Sequence, residues 1–403
     1  MHYLRMLFFG VVVALISSSC SHDFKVSGGK PFSGVDNMVY SDVHINKLKV
    51  FVENSGSMDA YLCEGSQFKD AIFDYVSSLN GYVDTTELSY INQDIINYKG
   101  SIQNYPSIIS FKSGVRKHSD LGEMLESVLR CTDDNTISVF ISDCILDVPD
   151  GNASDYLCNR EIEIKNAFIK HRNKYKNFSV EIIRLLSKYK GSYWYKGELH
   201  DFFNGSRPYY MWVMGNQNAL AYLNRKVPVS DIKHGIDNYV SFAPCAEPTF
   251  SVTDAFGVQS GGVSIIRQDP NSNYKFLVYA DLSGTLLSPE DVCNMKFSLK
   301  SNSNCSISVR KIDSKKSIFT HSLLVTGNKG LVANKSEVLM LHFMESLPSW
   351  VSDYSSDSIV QPGDILKKNN QMKTYGLFYL ISGVFDAYKS NDNYAIMNFS
   401  ISE

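Results

Sequence analysis

The chain has 403 residues, more than the ~250–300 at which a single hydrophobic core stops growing, so two domains with accessory segments are expected. A content of 44% hydrophobic and 12% aromatic residues supplies packed cores and excludes bulk disorder. Lys and Arg total 39 against 42 Asp and Glu, and the net charge of -3 gives no basic field, which excludes nucleic acid as the expected partner.

The chain begins MHYLRMLFFGVVVALISSSCSHDF, with Arg5, an apolar run over residues 7–16 and small residues up to Cys20. The run is too short to span a bilayer and has the length of a signal-peptide core. Ser17-Ser18-Ser19-Cys20 resembles the lipobox of bacterial lipoproteins. That resemblance implies a signal peptide over 1–20, lipidation at Cys20, and a lipid-anchored protein of the cell envelope, at the outer membrane or cell surface, with the periplasmic face as the other placement. An ordinary cleaved secretory leader is the alternative. Residues 21–45, rich in Ser, Gly, Lys and Asp, read as a tether between lipid and first folded element.

Leu48, Val50 and Val52 around Phe51 predict a strand buried on both faces and ending at Glu53. Phe68, Ala71, Ile72, Tyr75, Val76 and Leu79 recur at helical spacing and stop near Asn80-Gly81. Strands are expected over 87–91 and 107–111, then an amphipathic helix carrying Leu121, Met124, Leu125, Val128 and Leu129. TISVFISDC is a continuous apolar run ending at Ser142-Asp143, the pattern of a strand inside a parallel sheet. A helix over 154–174, the strands FSVEIIRLL and YYMWVMG, and a short helix over 219–223 follow. Strand and helix taking turns over 46–225 predict a doubly wound, mostly parallel α/β sheet, with ligands beyond the carboxyl ends of its strands.

After Pro228 the runs GVSIIRQ, YKFLVYADL, NMKFSLKS, CSISVRKI and EVLMLHFM are separated by Asn, Ser, Gly and Asp, predicting a β-rich, sandwich-like domain over 240–403. TYGLFYLISGVFDAY adds one late helix and YAIMNFSIS a closing strand. Seven cysteines follow Cys20 without a C-x-x-C pair, so a zinc ribbon is not expected and buried single thiols are. The histidines are scattered, with no H-E-x-x-H spacing; His118, beside Ser119, reads as a solvent-facing loop residue.

Polar residues cluster at three predicted strand or helix ends: Glu53-Asn54-Ser55-Gly56-Ser57, Ser119-Asp120 and Ser142-Asp143. Together, SGSM, SDLGEML and VFISDC resemble the metal-ion-dependent adhesion site of von Willebrand factor A domains over residues 46–225. Ser55 and Ser57 match that site's paired serines, Ser119 its threonine and Asp143 its distant aspartate; Glu53 stands where the family has aspartate, and Cys144 where glycine is common. The resemblance implies Mg2+ or Mn2+ held by Glu53, Ser55, Ser57, Ser119 and Asp143. Neutral hydroxyls leave such an ion short of negative charge, and an acidic residue of a protein partner completes its shell. Alternatively, Asn54, Ser55 and Ser57 only cap the helix that follows.

A haloacid-dehalogenase-type phosphatase would need an aspartate nucleophile where Glu53 stands and a second acid where Ser55 stands, and no nucleophile elbow surrounds Ser55 or Ser57. Arg207-Pro208 and Trp350 read either as a recognition surface or, more commonly, as packing under a loop. The leader with VENSGSM, FISDC and RPYYMWVMG resembles exported proteins of Bacteroidetes-type bacteria, which implies envelope location and this architecture. The expectation is a non-enzymatic, envelope-anchored binding protein. A metal-free structural subunit of an envelope complex, or an envelope hydrolase or phosphatase, are the alternatives.

Overall fold

The computed structural model describes residues 23–29, 43–108, 116, 120–147, 152–195, 198–254, 259–260, 263–267, 269, 271, 273–301, 304–312, 317–328, 335–356 and 371–402. Cys20, His118 and Ser119 lie outside the described residues. The first half contains β1 (Asp23–Ser27), β2 (Lys47–Glu53), α1 (Gln67–Asn80), β3 (Thr85–Ile91), β4 (Ile95–Asn97), α2 (Leu121–Arg130) and β5 (Thr136–Ser142). Next come α3 (Ala153–Lys174), β6 (Phe178–Tyr195), β7 (Glu198–Asn216), α4 (Gln217–Lys226) and β8 (Asn238–Phe242). The remainder adds β9 (Phe250–Asp254), β10 (Gln259–Ser260), β11 (Val263–Arg267), β12 (Asn273–Ala280), α5 (Pro289–Asn294), β13 (Phe297–Leu299) and β14 (Ser306–Lys311). It closes with β15 (His321–Asn328), β16 (Lys335–His342), α6 (Ser349–Asp353), β17 (Ser355–Ser356), β18 (Thr374–Tyr375), α7 (Leu377–Tyr388) and β19 (Asn393–Ser402).

The expected doubly wound, mostly parallel sheet is not formed. A seven-stranded mixed sheet runs β4-β3-β2-β5-β7-β6-β8, and only β2–β3 and β2–β5 pair in parallel. The other four pairings are antiparallel. The cause is local: FSVEIIRLL and YYMWVMG sit on two long strands that pair with each other from Phe178↔Asn216 to Tyr195↔Glu198, and strands joined as a hairpin must run antiparallel. Of the strand expected over 107–111, Ser107 instead ends a 3-10 helix, Ile102–Ser107, and 109–111 lie outside the described residues. Two further sheets, β10-β11-β1-β19-β16-β13 and β14-β15-β12-β9, are antiparallel throughout.

Side-chain alternation explains how the mixed sheet is buried on both sides. Val50 and Val52 of β2, Val139 and Ile141 of β5, and Met211 and Val213 of β7 face α1 and α4. Phe51, Phe140, Tyr210 and Trp212, on the same strands, face α2 and α3. This second core continues without a break into Phe276 and Val278 of β12, Leu339 of β16 and Met397 of β19. The texture change near Pro228 therefore marks no boundary in the packing between 46–225 and 240–403. Nor is the region 21–45 only a tether: β1 inserts between β11 and β19, with Phe24 and Val26 buried.

Helix α7 locks the two halves together by packing on α3. Lys165 pairs with Asp386 at 3.0 Å, the Ser382 hydroxyl donates to Glu161 at 2.5 Å, and the Arg172 guanidinium lies 4.0 Å from the Tyr388 ring centre. At Gly383 the helices approach so closely that a Cβ would lie 2.6 Å from the Glu161 carbonyl oxygen and 3.0 Å from the Ile164 Cβ. Among the described residues no helix is long and apolar enough to cross a membrane.

One buried acid sits apart from the strand ends. Glu181 of β6 accepts hydrogen bonds from Asn224 at 2.5 Å and the Tyr239 hydroxyl at 2.6 Å, while its second oxygen has no partner among the described residues. Burial pushes its carboxyl up to about 7, against the two hydrogen bonds that lower it.

Two predictions follow from the packing. Gly383→Ala should destabilise the protein by about 2 kcal/mol in urea unfolding, because the carbonyl it meets is backbone and cannot turn aside; an unchanged midpoint would refute the close α3–α7 approach. Because the folded protein holds the Glu181 proton more tightly than the unfolded chain, stability is lost as pH rises from the unfolded pKa, near 4.3, through about 7, by about 4 kcal/mol. Glu181→Gln should flatten that part of the stability profile and raise stability at pH 8; a wild-type-like slope in the variant would contradict it.

Candidate functional site

In-register parallel pairing of β2 with β5, Val52 opposite Ile141, brings the carboxyl ends of both strands to one rim. Beyond β2 the chain is held to β3, where the Asn54 amide donates to the Ile91 carbonyl at 2.8 Å and Asn92 Nδ2 to the Asn54 carbonyl at 3.4 Å. It then turns through Ser55-Gly56 into a 3-10 helix, Ser57–Leu62, which has no side-chain cap, whereas α1 is capped by Ser66. Asn54, Ser55 and Ser57 are therefore not helix caps. The Ser55 and Ser57 hydroxyls bond each other at 2.9 Å, and Ser57 lies against the Asp143 carboxyl.

Glu53 is placed differently. It accepts the Ser142 hydroxyl at 2.5 Å, and Ser142 Oγ in turn accepts the Cys144 amide at 2.7 Å. Its longer side chain thus ties the end of β2 to the turn after β5. That turn is tight: Cys144 has a left-handed backbone, φ 54°, a conformation that favours glycine.

Asp143 carries the site's unusual electrostatics. One carboxyl oxygen accepts the Ile145 amide at 3.2 Å; the other, Oδ2, is buried with no hydrogen-bond partner among the described residues. Burial raises its pKa, while Ser57, the Ile145 amide and the Arg207 charge lower it. Glu53, Ser55, Ser57 and Asp143 are 1%, 6%, 9% and 2% exposed, so the rim is nearly closed. Four of the five expected ligands thus share one rim, with Ser55, Ser57 and Asp143 converging directly and Glu53 one hydrogen bond away. Ser119 lies outside the described residues, and Asp120, after it, caps α2 and pairs with Arg160 at 2.8 Å.

Two arginines complete the cluster. Arg116 donates to the Ser55 carbonyl at 2.9 Å and pairs with Asp59 at 2.7 Å. Arg207, fully buried, stands close enough to Asp143 and Tyr61 to act on both. The Tyr61 and Tyr189 rings meet edge to face at 4.9 Å, and the Tyr61 hydroxyl donates to the Pro208 carbonyl at 2.5 Å. Arg207 is therefore an interior cation, not a recognition surface. Its signal in the sequence was a charged residue directly ahead of the apolar run PYYMWVMG.

The donors present are hard oxygens, and a buried carboxyl oxygen with no partner among the described residues, beside two hydroxyls, is an arrangement that a divalent magnesium-like ion fits. No cluster of three His, Cys, Asp or Glu side chains suited to a metal occurs among the described residues, so serine hydroxyls would have to share the ligation. The Cys144 thiol is buried and its pKa pushed up, which makes it a poor nucleophile. Comparison with protein-family models, curated proteins and solved structures finds no match for the chain.

The strained turn is testable. Cys144→Val should cost about 2 kcal/mol in chemical unfolding, because a β-branched side chain resists positive φ, whereas Cys144→Gly should stay near wild type. Equal stability of the two variants would show that φ at 144 does not constrain the turn.

Proposed function

We propose that this protein is a non-enzymatic binding protein of the cell envelope, anchored by lipid at Cys20, which takes up Mg2+ or Mn2+ at Ser55, Ser57 and Asp143 and uses the ion to bind an acidic residue of a protein partner. The observation that carries the reading is Asp143 Oδ2, which has no hydrogen-bond partner among the described residues, beside the bonded pair of serine hydroxyls. Ser119 belongs to the proposed ligand set by the resemblance, and Glu53 acts by holding Ser142 and the Asp143 turn. When bound, the ion would supply a Lewis-acidic point for a carboxylate.

The electrostatics of the rim support this reading. Glu53 and Asp143 bring two buried carboxyls to one rim, where the Arg207 charge acts on Asp143, and Arg116 is matched by Asp59. Burial disfavours the charged form of Asp143, and a divalent ion beside it would favour that form and draw in a further carboxylate. Ser55, Ser57 and Asp143 themselves serve as fixed oxygens, and the Ile145 amide holds one Asp143 oxygen away from any other task.

A specific observation favours a second reading. The Arg207 charge already acts on Asp143, so the same cluster would serve a metal-free structural subunit of an envelope complex as a buried polar lock.

Calorimetric titration separates the two. Wild type should take up Mg2+ or Mn2+, and Ser55→Ala with Ser57→Ala should lose that uptake while keeping its thermal unfolding transition. Absence of heat with either ion in the wild type would leave the lock. Turnover of ester or phosphate substrates that disappears on Asp143→Asn would instead make the protein an enzyme.

A further inference from the structure

At the opposite end of the mixed sheet from Asp143 lies a cavity of about 640 Å³, within the ~300–1,000 Å³ typical of small-ligand sites. It is bounded by α4, by the segment joining β8 to β9, and by a 3-10 turn, Ser283–Thr285. Its walls are fixed by internal bonds. Gln217 donates to the Pro244 carbonyl at 2.9 Å and the Gly284 carbonyl at 2.6 Å. Arg225 binds Asp281 at 2.6 Å and also reaches the Ser283 hydroxyl, and Asp281 accepts that hydroxyl at 2.7 Å.

The lining selects by chemistry. Arg225 is neutralised by Asp281, and Glu247 adds an exposed carboxylate, so an anion meets net repulsion. Predominantly polar walls disfavour an apolar ligand. The Asn177 and Asn218 side-chain amides each combine donors with an acceptor, the complement of neighbouring hydroxyls that also do both. The ring of Tyr222, half-buried, with Tyr82 edge to face at 6.3 Å and the Lys226 ammonium 5.6 Å from its centre, is the aromatic surface among the polar groups that line this cavity. We propose that this cavity binds a short neutral saccharide, its hydroxyls on the amides and carboxylates and a C–H face on Tyr222.

Cys245 lines the cavity and is exposed, whereas Cys158, also exposed, sits on α3 away from it. Alkylation rates of both thiols, resolved by mass spectrometry on the full chain, therefore give a local readout with an internal reference. Maltose, cellobiose and N,N′-diacetylchitobiose serve as probes, with glucuronate as the anionic control. At ten times its Kd, at least one neutral disaccharide should slow Cys245 alkylation by about tenfold and leave Cys158 unchanged. Asn218→Ala, at an exposed position, should raise the concentration required by about tenfold. Ser55→Ala with Ser57→Ala should leave the protection intact, so failure of the ion reading and failure of this one are distinguishable. Absence of protection by all three disaccharides, equal protection of Cys158, protection by glucuronate alone, or undiminished protection in Asn218→Ala would each overturn the proposal.

Discussion

Register between β2 and β5 is the constraint on which the strand-end site depends. Parallel strands paired without offset end at the same height, so the residues after Val52 and Ile141 must meet. The Glu53–Ser142 hydrogen bond uses that meeting, and Ser142 passes the constraint to the Cys144 amide and the left-handed turn. Slipping β2 by one residue would turn Val50 and Val52 away from α1 and carry Glu53 out of reach of Ser142. The same apolar contacts that bury the sheet thus set the positions of its polar rim.

That rim is braced from the far end of the chain. The Leu146 amide, three residues past Asp143, donates to the Tyr375 carbonyl of β18 at 3.2 Å. Gly376 follows with φ 77°, and a Cβ there would lie 2.4 Å from Leu146 Cδ1. One turn of chain thus starts α7 and seats Leu146. Close by, Arg184 of β6, wholly buried, donates to the Met372 carbonyl at 2.7 Å and pairs with Asp237, with the Tyr354 ring 3.8 Å from its guanidinium. The Tyr210 and Thr374 hydroxyls bond at 2.9 Å beside it. The C-terminal residues are therefore structural members of the mixed sheet's outer layer, which is why one core spans both halves.

The periodic elements were legible in the sequence because burial imposes them locally. Phe68 to Leu79 and Leu121 to Leu129 are the buried faces of α1 and α2, and TISVFIS is buried at every position of β5. Direction was not legible. Continuous apolar runs arise wherever a strand is covered on both faces, and Met211 to Met214 read the same whether β7 is parallel or antiparallel to β5. Only the hairpin partner of β7 decides it, and the turn signal Asn204-Gly205 falls inside β7 instead of at its end, which hides a hairpin of this length. At the site, Ser55, Ser57 and Asp143 were readable from their places at strand ends. Arg207 was not, since its neighbours Tyr61 and Tyr189 come from distant segments.

The two ends of the sheet differ in how they manage charge, and the difference follows from their depth. At the Asp143 rim an acid and two hydroxyls are withdrawn from water, so the buried charge is met by Arg207, by protonation of the acid, or by an ion brought in with its own charge. At the α4 end the Arg225–Asp281 pair, 26% and 10% exposed, is already balanced, so its charges ask nothing further of a ligand in the cavity. Seven residues of β5, about 20 Å of strand, separate the ends, and no side chain lines both.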